Sequence, residues 1–200
     1  MTKTLAILVT SALLCCGKTH AQEKPAAVEL IDAQLSAWSV PDPNPWWVVA
    51  DGVLTVTSDP KKTGNTLWTK EKFKDFTLEA EFKFTGSVDS GFFLRDANEQ
   101  IQIGDSGSLK RDMTGSPYIA KLKKYPIEAT GVAALLKPGE WNSIRITAIG
   151  PHYTVVLNGT QVLDWKSETT ITEGPIGVQL HPAKEMVTHF RNLKITRITR

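Results

Sequence analysis

Residues 76–84 carry the clearest pattern in the chain, with Phe76, Leu78, Ala80, Phe82 and Phe84 alternating against Thr77, Glu79, Glu81 and Lys83. A period of two predicts a strand with one buried face. The period returns along residues 138–199. Ile144, Ile146 and Ala148 take one face there, and Ser143, Arg145 and Thr147 the other. Runs 153–157 and 161–165 flank Asn158-Gly159, a dipeptide that suits a two-residue hairpin because both turn positions need positive φ. Asp51-Gly52 makes the same prediction between runs 47–50 and 53–57. Ile176, Val178 and Leu180 are expected to point inward, so Gln179 and His181 point outward together. Helical periodicity is absent. About a dozen short runs punctuated by Gly, Pro and Asn predict an all-β chain of two stacked antiparallel sheets.

Within that frame, Phe92 and Leu94 share one side of the run 90–95, which leaves Phe93 and Arg95 side by side on the other. Ile101 and Ile103 alternate with Gln100, Gln102 and Gly104 and lead to Asp105. Residues 106–114 read as a polar loop bearing Lys110, Arg111 and Asp112; 115–119 is a further short strand, and 120–137 is a connection without a strong pattern. Residues 31–38 are open between helix and irregular structure. Pro41, Pro43 and Pro45 stiffen a loop that ends in Trp46-Trp47, either a sugar-stacking lip or a cap on the core. Glu79 and Glu81 are either a catalytic pair or a solvated face.

Two hundred residues with 41% hydrophobic content suffice for one domain with a sizeable core. Lys3, an apolar run over 5–16 and Thr19-His20-Ala21 have the form of a secretory signal peptide cut after Ala21. The run is short of the roughly 20 residues a membrane-spanning helix needs. The expected division is therefore a signal peptide at 1–21, an extended leader at 22–45 and the sandwich domain at 46–200. Cys15 and Cys16 raise a lipid anchor, but neither is preceded by the small residue such a site prefers. Cleavage after Ala21 removes both cysteines, hence any disulfide or thiol nucleophile. It also removes Lys3 and Lys18, leaving 21 of the 23 Lys and Arg against 21 Asp and Glu. A net charge near zero gives no support for a nucleic-acid partner.

Ser90-Gly91-Phe92-Phe93-Leu94-Arg95, Gln102-Ile103 with Asp105, Gly115-Ser116-Pro117-Tyr118, Pro138-Gly139-Glu140-Trp141-Asn142, Leu157-Asn158-Gly159, Gly174-Pro175-Ile176-Gly177-Val178-Gln179-Leu180-His181 and Phe190-Arg191-Asn192-Leu193-Lys194-Ile195 follow one another in this order. In that order they resemble the bacterial 3-keto-disaccharide hydrolase domain family, which is glycoside-hydrolase-16-like. The resemblance spans roughly residues 46–198. It implies a concanavalin-A-like jelly-roll sandwich, secreted or periplasmic, with a ligand groove on the concave sheet and action on sugars oxidised at C3. Two departures stand out. Gln100 replaces a Glu that many members carry, and the short basic loop 106–113 stands where others have longer insertions, so substrate choice does not transfer.

A retaining glycosidase uses two carboxylates about 5 to 5.5 Å apart. The chain lacks the Glu-x-Asp-x-x-Glu strand of laminarinase-like enzymes. A 3-keto sugar relaxes that need, because the ketone acidifies the C2 proton and lets the glycosidic oxygen leave by elimination before water adds. The resemblance then implies a base, a donor or cation for the enolate, and a proton source. His181 is the preferred acid/base, since imidazole titrates near neutrality, against the alternative of an exposed strand-end histidine. Arg95 suits the enolate or sugar hydroxyls, against a surface ion pair. Asp105 is base or metal ligand, against a turn-forming aspartate. Gln102, Gln179 and Tyr118 are candidate sugar hydrogen-bonders and Trp68, with Phe93, a stacking surface, against ordinary strand residues. His181, Asp105 and Gln102 leave a metal open without a spacing that demonstrates one, and the cofactor is unknown. His152 and His189 read as surface residues. The implied partner is a carbohydrate, an oxidised disaccharide or glycoside; a non-catalytic carbohydrate-binding module is the alternative on the same fold.

Overall fold

The computed structural model describes residues 26–199, so the signal-peptide and lipid-anchor expectations for residues 1–21 lie outside the described residues. In chain order the strands are β1 (Val28–Glu29), β2 (Trp38–Ser39), β3 (Trp47–Ala50), β4 (Val53–Thr57), β5 (Asn65–Thr69), β6 (Phe76–Phe84), β7 (Asp89–Leu94), β8 (Glu99–Gly104), β9 (Pro117–Ile119), β10 (Asn142–Ile149), β11 (His152–Leu157), β12 (Thr160–Lys166), β13 (Ile176–Leu180) and β14 (Val187–Arg197). They form two antiparallel sheets. The larger runs β12-β11-β10-β6-β14-β4-β3, with β1 added against β14, and the smaller runs β2-β5-β13-β7-β8-β9. The connection 120–137 holds a 3₁₀ turn (Ala120–Leu122) and one helical turn, α1 (Val132–Leu135).

Local chemistry explains the ladders. β6 alternates buried and half-buried along all nine residues, as its period of two requires. Asn158 and Gly159 adopt φ of 47° and 85°, and Asp51 and Gly52 φ of 50° and 73°. Each pair joins strands in direct register, Leu157 opposite Thr160 and Ala50 opposite Val53. Apolar side chains from both sheets meet between them: Phe76, Leu78 and Phe82 of β6 and Phe190 of β14 against Phe92 of β7 and Val178 of β13. Phe92 and Phe190 cross edge to face at 5.4 Å.

The sandwich starts earlier than residue 46. Val28 and Glu29 pair with Ile195 and Lys194, and Trp38 pairs with Thr69. Leu30, Leu35 and Trp38 are buried, with the Trp38 indole N–H donating to the Leu30 carbonyl at 2.6 Å. Two-residue strands are too short to show a period, which is why the sequence pattern leaves them as leader. Trp46-Trp47 resolves as a core cap: Trp47 is buried and Trp46 packs half-buried against the core. Glu79 and Glu81 lie on the outer face of the larger sheet, where Glu79 pairs with Arg145 and Lys194 and Glu81 with Arg191. His152 pairs with Asp164 at the edge hairpin, and His189 Nδ1 meets the Thr55 hydroxyl at 3.1 Å.

Candidate functional site

The two outer faces differ. That of the larger sheet is charged and partly exposed, whereas β7 and β8 are buried on both faces along their full length. Loops fold over the smaller sheet. Residues 105–114 return against β8 through Met113 N–H to the Gly104 carbonyl and Gly115 N–H to the Gln102 carbonyl, and the Ser116 hydroxyl accepts from Ala129 N–H. A cleft of about 650 Å³ remains between these loops and the outward side chains of β7, β8, β9 and β13.

Antiparallel register sets its floor. Ile176, Gly177 and Val178 lie opposite Leu94, Phe93 and Phe92, and the same register continued places His181 opposite Asp89. The His181 Nε2 is 3.8 Å from Asp89 Oδ2. Its Nδ1 is 2.6 Å from the Pro182 carbonyl, which can only accept, so Nδ1 carries a proton and Nε2 is the atom free to take or give one. Asp89 is buried and itself held: Oδ1 accepts from the Gln102 amide at 2.8 Å and Oδ2 from Gly107 N–H at 2.9 Å. The Gln102 amide also donates to the Asp105 carbonyl at 3.0 Å. Gln100 crosses over Gly91 and donates to Gln179 Oε1 at 2.6 Å. A Cβ at Gly91 would lie 2.6 Å from the Gln100 amide nitrogen, so only glycine leaves that path open.

One wall is cationic and one aromatic. Lys184 Nζ donates to the Ser87 hydroxyl at 2.6 Å and lies 3.9 Å from Asp105 Oδ2, which accepts from the same hydroxyl. Lys110 lines the cleft as well. Tyr118 and Tyr125 face each other with ring centres 5.1 Å apart. Burial pushes the Tyr125 hydroxyl up to about 12, with Asp89 and Tyr118 adding to the rise against a hydrogen bond with Ser106, so this phenol keeps its proton at neutral pH.

His181, Asp105, Gln102, Gln179 and Tyr118 all line this one cleft. Trp68 and Phe93 occupy the same outer face beside it, stacked at 5.5 Å and 27°, without lining it. Arg95 does not join them. Its φ of 71° breaks the alternation at the end of β7, and the guanidinium turns in between the sheets, where Arg95 is 1% exposed. It donates to the carbonyls of Lys74 and Gly150, to Thr170 Oγ1 and to the Tyr153 hydroxyl. Tyr153 in turn donates to Glu99 Oε2 at 2.6 Å, and burial and Glu99 raise the phenol above its ordinary value. The cation expected at the enolate is therefore a structural one, and Lys184 and Lys110 stand in the cleft instead. Among the described residues no group of three or more His, Cys, Asp or Glu side chains is placed to hold a metal ion.

Asp89, Ser87, Tyr125 and Lys184 escape the sequence pattern. Asp89 alone has a signal there, since counting back by twos from Phe93 through Gly91 reaches it. The other three sit on loops, which carry no period.

A two-sheet sandwich with a polar, tyrosine-walled cleft has the form of a saccharide site, and the family match puts the chain among glycosyl-hydrolase-like or carbohydrate-binding β-sandwiches. Residues 26–196 match the 3-keto-alpha-glucoside-1,2-lyase-like domain, and the chain belongs to that family. No protein of curated function matches the sequence. Among solved structures it is similar to two provisionally assigned glycosyl hydrolases from Parabacteroides distasonis. The first is 24% identical, with a TM-score of 0.68 over 86% of this chain and 100% of that one. The second is 18% identical, with a TM-score of 0.60 over 82% and 90%. The carbohydrate binding module CBM66 from Bacillus subtilis shares the fold at 15% identity and a TM-score of 0.52, over 80% and 95%.

Proposed function

We propose that this protein cleaves the glycosidic bond of 3-keto sugars by elimination followed by hydration, with His181 Nε2 as the proton-transferring atom. The observation that carries the reading is the His181–Asp89 pair, with Nδ1 fixed on the Pro182 carbonyl and Nε2 turned toward a buried carboxylate. His181 takes the proton from C2 of the oxidised ring, with the Asp89 carboxylate 3.8 Å from the Nε2 that receives it. The electron pair moves onto the C3 oxygen as an enolate beside the Lys184 and Lys110 ammonium groups. It then returns to form the C1–C2 double bond conjugated with the ketone as the C1–O bond breaks. A proton from Tyr125 or from the imidazolium neutralises the leaving oxygen. Water adds its oxygen to C1 and a proton to C2, which restores the saturated 3-keto sugar. Incubation with 3-keto-trehalose tests this: glucose release by wild type, and its loss in His181→Ala, is the expected result. Undiminished release in the variant would remove His181 from the mechanism.

A second reading, carbohydrate binding without turnover, is supported by the amide-rich floor, where Gln100, Gln102 and Gln179 present polar groups already held in fixed positions. Tight saccharide binding with no turnover of any 3-keto glycoside would favour it.

A further inference from the structure

The indole of Trp68 lies where a side chain at residue 177 would stand. A Cβ built on Gly177 would come within 2.8 and 2.9 Å of two of its ring carbons. Trp68, Gly177 and Phe93 are opposite one another on three adjacent strands, so the indole lies down across the glycine strand and stacks on the phenyl ring. The same device recurs one step along, where Gln100 lies across Gly91 to reach Gln179. Two glycines thus flatten two neighbouring patches of one sheet face. One patch is polar and forms the cleft floor, and the other is aromatic and lies outside it. They adjoin: Phe93 is directly opposite Gln100, about 4.8 Å away across one strand spacing, and Gly177 is two residues from Gln179.

We infer that the Trp68–Phe93 shelf is a second subsite, which takes the ring on the leaving side of the glycosidic bond while the oxidised ring occupies the cleft. This rests on the cleft being the site of keto-glycoside cleavage. The shelf offers the half-buried indole of Trp68, backed by the buried phenyl ring of Phe93, with no charged group of its own, and that suits a ring with an apolar face: a pyranose bearing equatorial hydroxyls, whose C–H bonds point to both faces, or an aromatic aglycone. A methyl aglycone cannot reach it. Discrimination among glycosides therefore resides at Trp68, outside the loops that wall the cleft.

The experiment compares three 3-keto-α-glucosides, with methyl, phenyl and glucosyl (3-keto-trehalose) leaving groups, on wild type, Trp68→Ala, Trp68→Leu and Trp68→Phe. Leucine keeps the apolar bulk over Gly177 without a flat face, so it separates stacking from folding. The expected result is that wild type prefers a ring-bearing substrate over the methyl glycoside in kcat/KM. That preference falls about tenfold in Trp68→Ala and Trp68→Leu and returns in Trp68→Phe. A larger fall for glucosyl than for phenyl identifies a sugar as the occupant, and the reverse identifies an aromatic aglycone. A preference unchanged by all three substitutions overturns the shelf. If wild type releases nothing from any of the three, the cleavage reading fails, and calorimetric titration with 3-keto-trehalose then decides the shelf alone. A dissociation constant raised about tenfold in Trp68→Leu sustains it, and equal binding or none overturns it.

Discussion

His181 and Asp89 face each other across the outer surface of the smaller sheet, Nε2 to Oδ2 at 3.8 Å, where the register that pairs Val178 with Phe92, extrapolated along both strands, sets residue 181 opposite residue 89. A histidine whose Nδ1 is committed to a carbonyl has Nε2 left for chemistry, and here that atom lies beside the Asp89 carboxylate. His181→Ala is expected to lower turnover of a 3-keto glycoside about a hundredfold or more, and Asp89→Asn by a smaller factor. The double variant should be little worse than His181→Ala alone, since the two act as a unit. Steady-state rates on the four proteins check this. Fully additive losses would mean that the aspartate acts on something other than the imidazole.

Arg95 is predicted to matter for stability. It is buried among the Lys74 and Gly150 carbonyls, Thr170 and Tyr153, with Asp75 at 3.8 Å and the rings of Phe76 and Tyr153 within 6 Å of its guanidinium carbon. Arg95→Met leaves those acceptors short of donors and is expected to cost about 3 to 5 kcal/mol in urea unfolding. Turnover per folded molecule should stay within a factor of a few. A selective loss of turnover at unchanged stability would return Arg95 to the site.

The fold was largely readable in the chain because strands announce themselves through alternation. Phe76 to Phe84 and the Asn158-Gly159 hairpin needed nothing beyond local chemistry. The five cleft residues found from the sequence sit on strands or directly at strand ends, where the same alternation assigns a face. The failures have separate physical causes. Arg95 stands one residue past β7 with φ of 71°, and a single left-handed residue reverses which side the chain presents. Tyr125 and Lys184 come from loops whose paths depend on long-range contacts. Val28–Glu29 and Trp38–Ser39 are too short for any period to register.

Gly91 tests the flat floor from another side. A Cβ there would stand 2.4 Å from the Ile101 carbonyl oxygen and 2.6 Å from the Gln100 amide nitrogen. The first of these is backbone and cannot swing aside, so β7 and β8 would have to part. Gly91→Ala is expected to destabilise the protein by about 1 to 3 kcal/mol and to weaken saccharide binding, because the Gln100–Gln179 contact is displaced. Urea midpoints and calorimetry read the two effects separately. A variant as stable as wild type would show that the sheet yields more easily than this packing implies.

On the opposite face, Glu81 accepts from Arg191 at 2.6 Å and from Asn192 at 3.0 Å, opposite the bulge that shifts β14 against β6. Partial burial pushes its carboxyl up, but the bonds from Arg191 and Asn192 and the Arg191 charge outweigh that and hold it below the ordinary 4.5. A carboxyl whose pKa is depressed in the folded state binds its proton more readily in the unfolded chain. Its contribution is therefore complete above the ordinary value and disappears as pH falls through the folded one. Glu81→Gln should cost up to about 1 kcal/mol at pH 7, where the side chain is 29% exposed and solvent screens the pair, and the gap should close in acid. Urea unfolding of both proteins at pH 7 and pH 3 measures it. A gap of the same size at both pH values would assign the loss to the amide's packing against β14, and not to the charge.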